Sequence, residues 1–122
     1  MLSETENRLE KRRCYRLMSR IYALLNSGEW SLRYARLGDD HVLRDRFGLA
    51  SNIVGFCDVT EQVMYIDHRK DVLATIIHEC LHVLFEDKPE HEILELEDMI
   101  MRHLSARQAT ALHLIATEAF VR

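Results

Sequence analysis

The stretch Val72-Leu73-Ala74-Thr75-Ile76-Ile77-His78-Glu79-Cys80-Leu81-His82-Val83-Leu84-Phe85 carries the strongest periodic signal in the chain. Val72, Leu73, Ile76, Ile77, Leu81, Leu84 and Phe85 recur at three- and four-residue spacings, the period of a helix. The spacing predicts a strongly apolar helix from Lys70 to near Glu86. Inside it stands His78-Glu79-Cys80-Leu81-His82, an HExxH pattern. Residues four apart lie one turn apart on one helix face, so both imidazoles can aim a nitrogen at one tetrahedral zinc ion. Glu79 falls about 100° round the helix from His78, beside such an ion rather than on it. From there its carboxylate can take a proton from a metal-bound water.

The remaining elements are read outward from this helix. Upstream, NIVGFCDVTEQVMYID reads as two strands, Ile53–Cys57 and Gln62–Asp67, joined by a turn at Asp58–Glu61. Met64 and Ile66 point to one face of the second strand, Val63 and Tyr65 to the other. Trp30 to Leu37 alternates bulky and polar side chains, as a first strand would, and a short helix is expected around Val42–Phe47. Residues 5–27 form a helix with one apolar stripe of Leu9, Cys14, Leu17, Met18, Ile21, Leu24 and Leu25. Ser3 with Glu6 forms its capping box and Ser27-Gly28 ends it. Downstream, Asp87-Lys88-Pro89 breaks the chain, a helix runs to about Leu104, and Ser105 caps a last helix, Ala106 to Phe120. The order predicts an α+β fold: an N-terminal helix, a small two- to three-stranded sheet, and the HExxH helix followed by two more.

Composition is consistent with this. The chain has 122 residues, a length that suits a single domain over 1–122. Hydrophobic residues are 48%, too many for a disordered chain, and one Pro with 4 Gly implies few loops. The net charge of -4 gives no reason to expect a nucleic-acid partner, though it leaves room for a local basic patch. Arg13, Arg16 and Arg20 share one flank of the first helix with Lys11 and Arg12 nearby, and read as a solvated face. A nucleic-acid-associated regulator would instead need salt-dependent DNA binding through that flank. Cys14, Cys57 and Cys80 are odd in number and form no CxxC pair, which excludes a disulfide scaffold and implies free thiols in a reducing cytoplasm. No run of about 20 apolar residues could span a membrane. The charged N-terminus has no apolar core of a signal peptide, so a cytoplasmic location is expected.

A zinc site needs a third protein ligand, with water in the fourth position if it is catalytic. The acidic and histidine residues after the motif are Glu86, Asp87, Glu90, His91, Glu92, Glu95, Glu97, Asp98 and His103. If the two helices around Pro89 form an antiparallel hairpin, His82 faces a position near 94 and His78 one near 98. On a helical wheel Ile93, Leu94, Leu96, Ile100, Met101 and Leu104 form an apolar arc, and Glu97 lies within about 40° of Ile93 in its middle. A carboxylate there is costly unless paired with a cation or metal. Glu97 meets both conditions and is the expected third ligand; a buried salt bridge to an Arg is the competing role.

The runs Gly55-Phe56-Cys57-Asp58, Met64-Tyr65-Ile66-Asp67 and Leu73 through Phe85 together resemble small zincin metallopeptidases. The likeness is to the short single-domain gluzincin-type proteins of bacteria and phages, in which a Glu on the following helix completes a His-His-Glu site; Glu97 matches that position. It covers about residues 53–104 and is more distantly similar to SprT-like proteins and to the protease halves of bacterial regulatory pairs. The resemblance implies a zincin-like fold and the strand Gln62–Asp67 as the sheet edge along which an extended substrate lies. It also implies a Tyr or His that stabilises the oxyanion, for which Tyr65, His68 and His91 stand nearest.

These readings converge on a zinc-dependent metallopeptidase acting on a peptide or protein substrate. His78, His82 and Glu97 would hold Zn²⁺, and Glu79 would be the general base and then pass its proton to the leaving amine. The alternative is a catalytically weak or inactive zinc-binding interaction module. A closed site with a fourth protein ligand would mark it, and His91 is the residue to inspect.

Overall fold

The computed structural model describes residues 2–37, 39, 41–48, 53–69 and 71–120. Helix α1 spans Glu4–Asn26; the Ser3 hydroxyl accepts a hydrogen bond from the Glu6 N–H at 3.1 Å, satisfying one of the orphan donors of the first turn. Strand β1 (Ser31–Ala35), helix α2 (His41–Phe47), strands β2 (Gly55–Asp58) and β3 (Val63–Asp67), and helices α3 (Val72–Leu84), α4 (Glu90–His103) and α5 (Ala106–Ala119) follow. The architecture is α+β, with five helices and a three-stranded mixed sheet among the described residues. Lys70, the expected first residue of the apolar helix, lies outside them.

The sheet order is β1-β3-β2. β1 runs parallel to β3, with Ser31 opposite Val63 and Ala35 opposite Asp67. β2 runs antiparallel, with Gly55 opposite Ile66 and Asp58 opposite Val63. The strand expected at the edge, Gln62–Asp67, is therefore the central one. The reason is that α2 and β2 intervene between β1 and β3, so β1 reaches β3 by a crossover and takes the side β2 leaves free. Among the described residues the outer edge of β2 has no strand paired to it. β1's outer edge is met by Phe120, bridged in parallel to Leu32, whose ring stacks on Tyr34.

The turn between β2 and β3 is closed by the Asp58 carboxylate, which accepts from the Glu61 N–H at 3.2 Å, and by Gln62 at φ 54. A side chain in that left-handed region costs about 1–2 kcal/mol, offset here by strand pairing on both sides. Alternation then sends Met64 and Ile66 into the core, fully buried, while Tyr65 turns to the other face against Phe56 and Phe47.

The core lies between that sheet face and the helices. α3 runs through its middle with Ile76, Ile77, Cys80 and Leu81 buried, covered by Leu17, Met18 and Ile21 of α1, Ile93 and Ile100 of α4, and Leu112 of α5. Each such aliphatic side chain contributes about 1.5–3 kcal/mol by leaving water. Ser105 caps α5 with a reciprocal box: its hydroxyl accepts from the Gln108 N–H and the Gln108 side chain accepts from the Ser105 N–H. Among the described residues no helix is long and apolar enough to cross a membrane.

Candidate metal centre

With Ile76, Ile77, Cys80 and Leu81 turned inward, the opposite flank of α3 presents His78 and His82 to a cleft between β2 and α4. Their Nε2 atoms lie 3.1 Å apart. A carboxylate from α4 closes on both: Glu90 Oε1 is 2.8 Å from His78 Nε2, and Glu90 Oε2 is 2.7 Å from His82 Nε2. His78, His82 and Glu90 thus form a group that could hold a metal ion.

The donor set suits a divalent ion in type. Imidazole nitrogen and carboxylate oxygen are ligands zinc accepts, at about 2.0–2.2 Å, which places tetrahedral donors about 3.3 Å apart. The observed separations of 2.7 to 3.1 Å are a few tenths of an ångström short of that. The same donors serve other first-row ions, so the set does not by itself select zinc. His91, the residue to inspect for a closed site, is exposed and stands outside the group.

Glu97 occupies a different place from the one expected of it. Its Oε1 accepts from Nδ1 of His78 at 2.9 Å, on the far side of the ring from Nε2. Its place on the inward arc of α4 does put it against His78, and its side chain is only 20% exposed. This hydrogen bond is the main cause that raises the His78 pKa, and it leaves Nε2 as the nitrogen directed at the cleft. Glu90 is among the sequence candidates and lies on the same arc, about 20° from Glu97, but the hairpin pairing near 94 and 98 passes it over. It reaches the histidines because it sits in the first turn of α4, directly after Pro89, with a long side chain lying over the cleft. The signal available in the sequence was a Glu eight residues after His82, at the start of a helix that must fold back on α3.

Glu79 points elsewhere, toward β2. It is buried, and burial pushes its carboxyl up to about 7, with His78 nearby pulling the other way. The Cys57 thiol lies 3.7 Å from Glu79 Oε1 and from the Glu79 carbonyl oxygen. Burial, with the carboxylate beside it, keeps that thiol well above its ordinary range. β2 can come this close only because residue 55 is Gly. A Cβ there would lie 2.6 Å from Thr75 Cγ2 and 3.1 Å from Glu79 Cγ. Neither Gly55 nor Cys57 carried a role in the sequence reading beyond the resemblance.

The cleft measures about 1130 Å³. Its polar end holds His78, Glu79, His82, Glu90 and Glu97, and its walls are Trp30, Val54, Phe56, Val83 and Leu94 among others. The residues considered for an oxyanion role lie away from it. Tyr65 is against Phe56 and Phe47, His68 packs edge-on to Tyr34, and His91 is exposed on α4.

Compared with protein-family models, with curated proteins and with solved structures, the chain matches none of them.

Proposed function

We propose that the chain is a zinc-dependent peptidase whose metal is held by His78, His82 and Glu90. The observation that carries this is the convergence of two imidazole nitrogens and one carboxylate at the polar end of a cleft, with a second, buried carboxylate, Glu79, alongside. In this reading Glu97 is an outer carboxylate: it holds the His78 ring by Nδ1 and makes Nε2 a better donor, as carboxylate–histidine pairs do behind metal ligands. Zinc, when bound, would lower the pKa of a coordinated water and polarise a substrate carbonyl.

The chain's own residues supply the rest. Glu79, with a carboxyl near neutrality, is suited to accept a proton and return it to a leaving amine. Extended substrate would lie along β2. The Asp67 N–H donates to the Val54 carbonyl, so in the antiparallel alternation Phe56 and Asp58 also pair with β3. Gly55 and Cys57 then turn their backbone groups outward, beside the cleft, where a peptide strand can add. The apolar walls favour bulky apolar side chains next to the scissile bond.

The test is elemental analysis of the purified protein together with hydrolysis of a quenched peptide library by the parent and by Glu79→Gln. The expected outcome is about one zinc per chain in both, with hydrolysis reduced by about 10²-fold or more in the variant. Retained hydrolysis in Glu79→Gln would sink the mechanism. The absence of Tyr65, His68 and His91 from the cleft favours a second reading, a zinc-binding module with feeble turnover. Metal in the parent with no library peptide cleaved would select it.

A further inference from the structure

The charge of this molecule is segregated. The chain totals -4, yet α1 carries Arg8, Lys11, Arg12, Arg13, Arg16 and Arg20 against Glu4, Glu6 and Glu10. All six cations are exposed. At about 100° per residue the five Arg fill the arc away from the buried stripe of Cys14, Leu17, Met18, Ile21 and Leu25, with Lys11 at the margin of that stripe beside Met18. Among the described residues none of the six forms an ion pair, whereas Arg69 and Arg102 both do. Glu10, the one carboxylate in the middle of this run, is turned to α4, where its Oε1 meets His103 Nε2 at 2.8 Å and Arg102 at 3.1 Å.

The Arg side chains also form a continuous row that winds about 40° round the helix per step. Arg8, Arg12, Arg16 and Arg20 step by four residues, about 6 Å each, and make a ridge about 18 Å long. A strand of duplex DNA presents a phosphate every 3.4 Å of axis, so a ridge of about that length can meet several. Five of the six cations are Arg, whose planar fork binds phosphate oxygens in pairs. The helix is already capped and docked on the core, so little ordering is needed on binding.

We propose that the outer face of α1 is a docking surface for the phosphate backbone of duplex nucleic acid. The acidic total does not oppose such a partner, because the surplus of cations is collected on one exposed helix face. A lipid surface fits less well. An in-plane amphipathic helix must bury an apolar face, and that of α1 is spent on the core, leaving Leu9 and Tyr15 as its exposed bulky residues. The contacts come from a helix side and carry no base-reading geometry, so binding is expected to be independent of sequence.

The experiment is an anisotropy titration of a fluorescein-labelled duplex of about 20 base pairs with the full chain, between about 50 and 200 mM NaCl. Four to six phosphate contacts predict a loss of affinity of about a hundredfold to a thousandfold across that range. The variant carrying Arg8→Gln, Arg12→Gln and Arg16→Gln should weaken binding by at least about tenfold and reduce the salt slope by about 3. It spares Arg20, whose guanidinium lies 4.9 Å over the Phe85 ring. The same three positions changed to Lys should keep most of the binding, which separates lost charge from lost fold. The proposal is overturned if the parent does not bind duplex at the lowest salt, or if the Gln variant binds as tightly with the same slope. It is equally overturned if the ridge instead captures vesicles containing phosphatidylserine, or drives self-association of the chain, while duplex is not bound.

Discussion

At the residue scale, the candidate centre depends on two glutamates that hold opposite sides of one imidazole. Glu90 faces Nε2 of His78 and Glu97 faces Nδ1. The two positions carry different expected costs, which separates ligand from support. Glu90→Ala removes a donor that touches both histidines, and zinc affinity should fall by more than about 10²-fold, beyond the usual cost of losing an outer partner. Glu97→Gln leaves the donor set intact but weakens the hold on the ring, and the loss should be about 10–100-fold. Competition with a chromophoric chelator measures both. If Glu97→Gln abolishes binding while Glu90→Ala retains it, Glu97 is the ligand and the roles exchange. His78 and His82 were legible as a pair because helix geometry alone brings residues four apart together. The choice between Glu90 and Glu97 was not legible. It depends on how α4 crosses α3 and on the reach of a flexible side chain, neither of which a helical wheel encodes.

At the element scale, the contact of β2 with α3 is what buries Glu79. Gly55 permits it, since a methyl group would press on Thr75 and on the Glu79 side chain together. Gly55→Ala is expected to destabilise the fold by about 1–3 kcal/mol through overpacking, read as a lower urea midpoint. It should also expose Glu79 and bring its carboxyl back toward the ordinary carboxylate range. An unchanged midpoint would mean that β2 can move away freely. The elements themselves were largely predictable: α1, α3 and α4 follow their three-four periodicity, Ser105 caps α5 as expected, and at Ser3 only the hydroxyl half of the expected box with Glu6 forms. The strand order was not, because β2 and β3 both read as short apolar runs. Which one is central depends on the remote partner β1.

At the scale of the whole molecule, one polar network ties the end of β3 to the rest. Asp67 is buried and its carboxylate accepts from the Arg69 N–H, Nε and guanidinium, while Arg69 also reaches Asp39 at 2.8 Å. Hydrogen bonds from Arg69 hold the Asp67 carboxyl at about 2, below its ordinary 3.8. A carboxyl depressed on folding adds stability that is complete above its unfolded value and is lost as pH falls toward the folded one. The network should therefore contribute about 1–2 kcal/mol at neutral pH, Arg69 being partly exposed, and lose it between about pH 4 and 2. Urea midpoints at pH 6 and near pH 2 in the parent and in Asp67→Asn check this. The variant should be the less stable at pH 6, and the gap should close in acid. A gap that persists unchanged at low pH would show that shape, not charge, is at work.

From the residues alone came the helices, the α+β class and the two histidines, because period, capping and one-turn spacing are local properties of a chain. Folding added what depends on distant segments meeting: β3 at the sheet centre, Glu90 brought over the histidines, and Glu79 sealed under Gly55. Those relations join residues far apart along the chain, and the free energy that selects them is the burial of a shared core rather than any local preference.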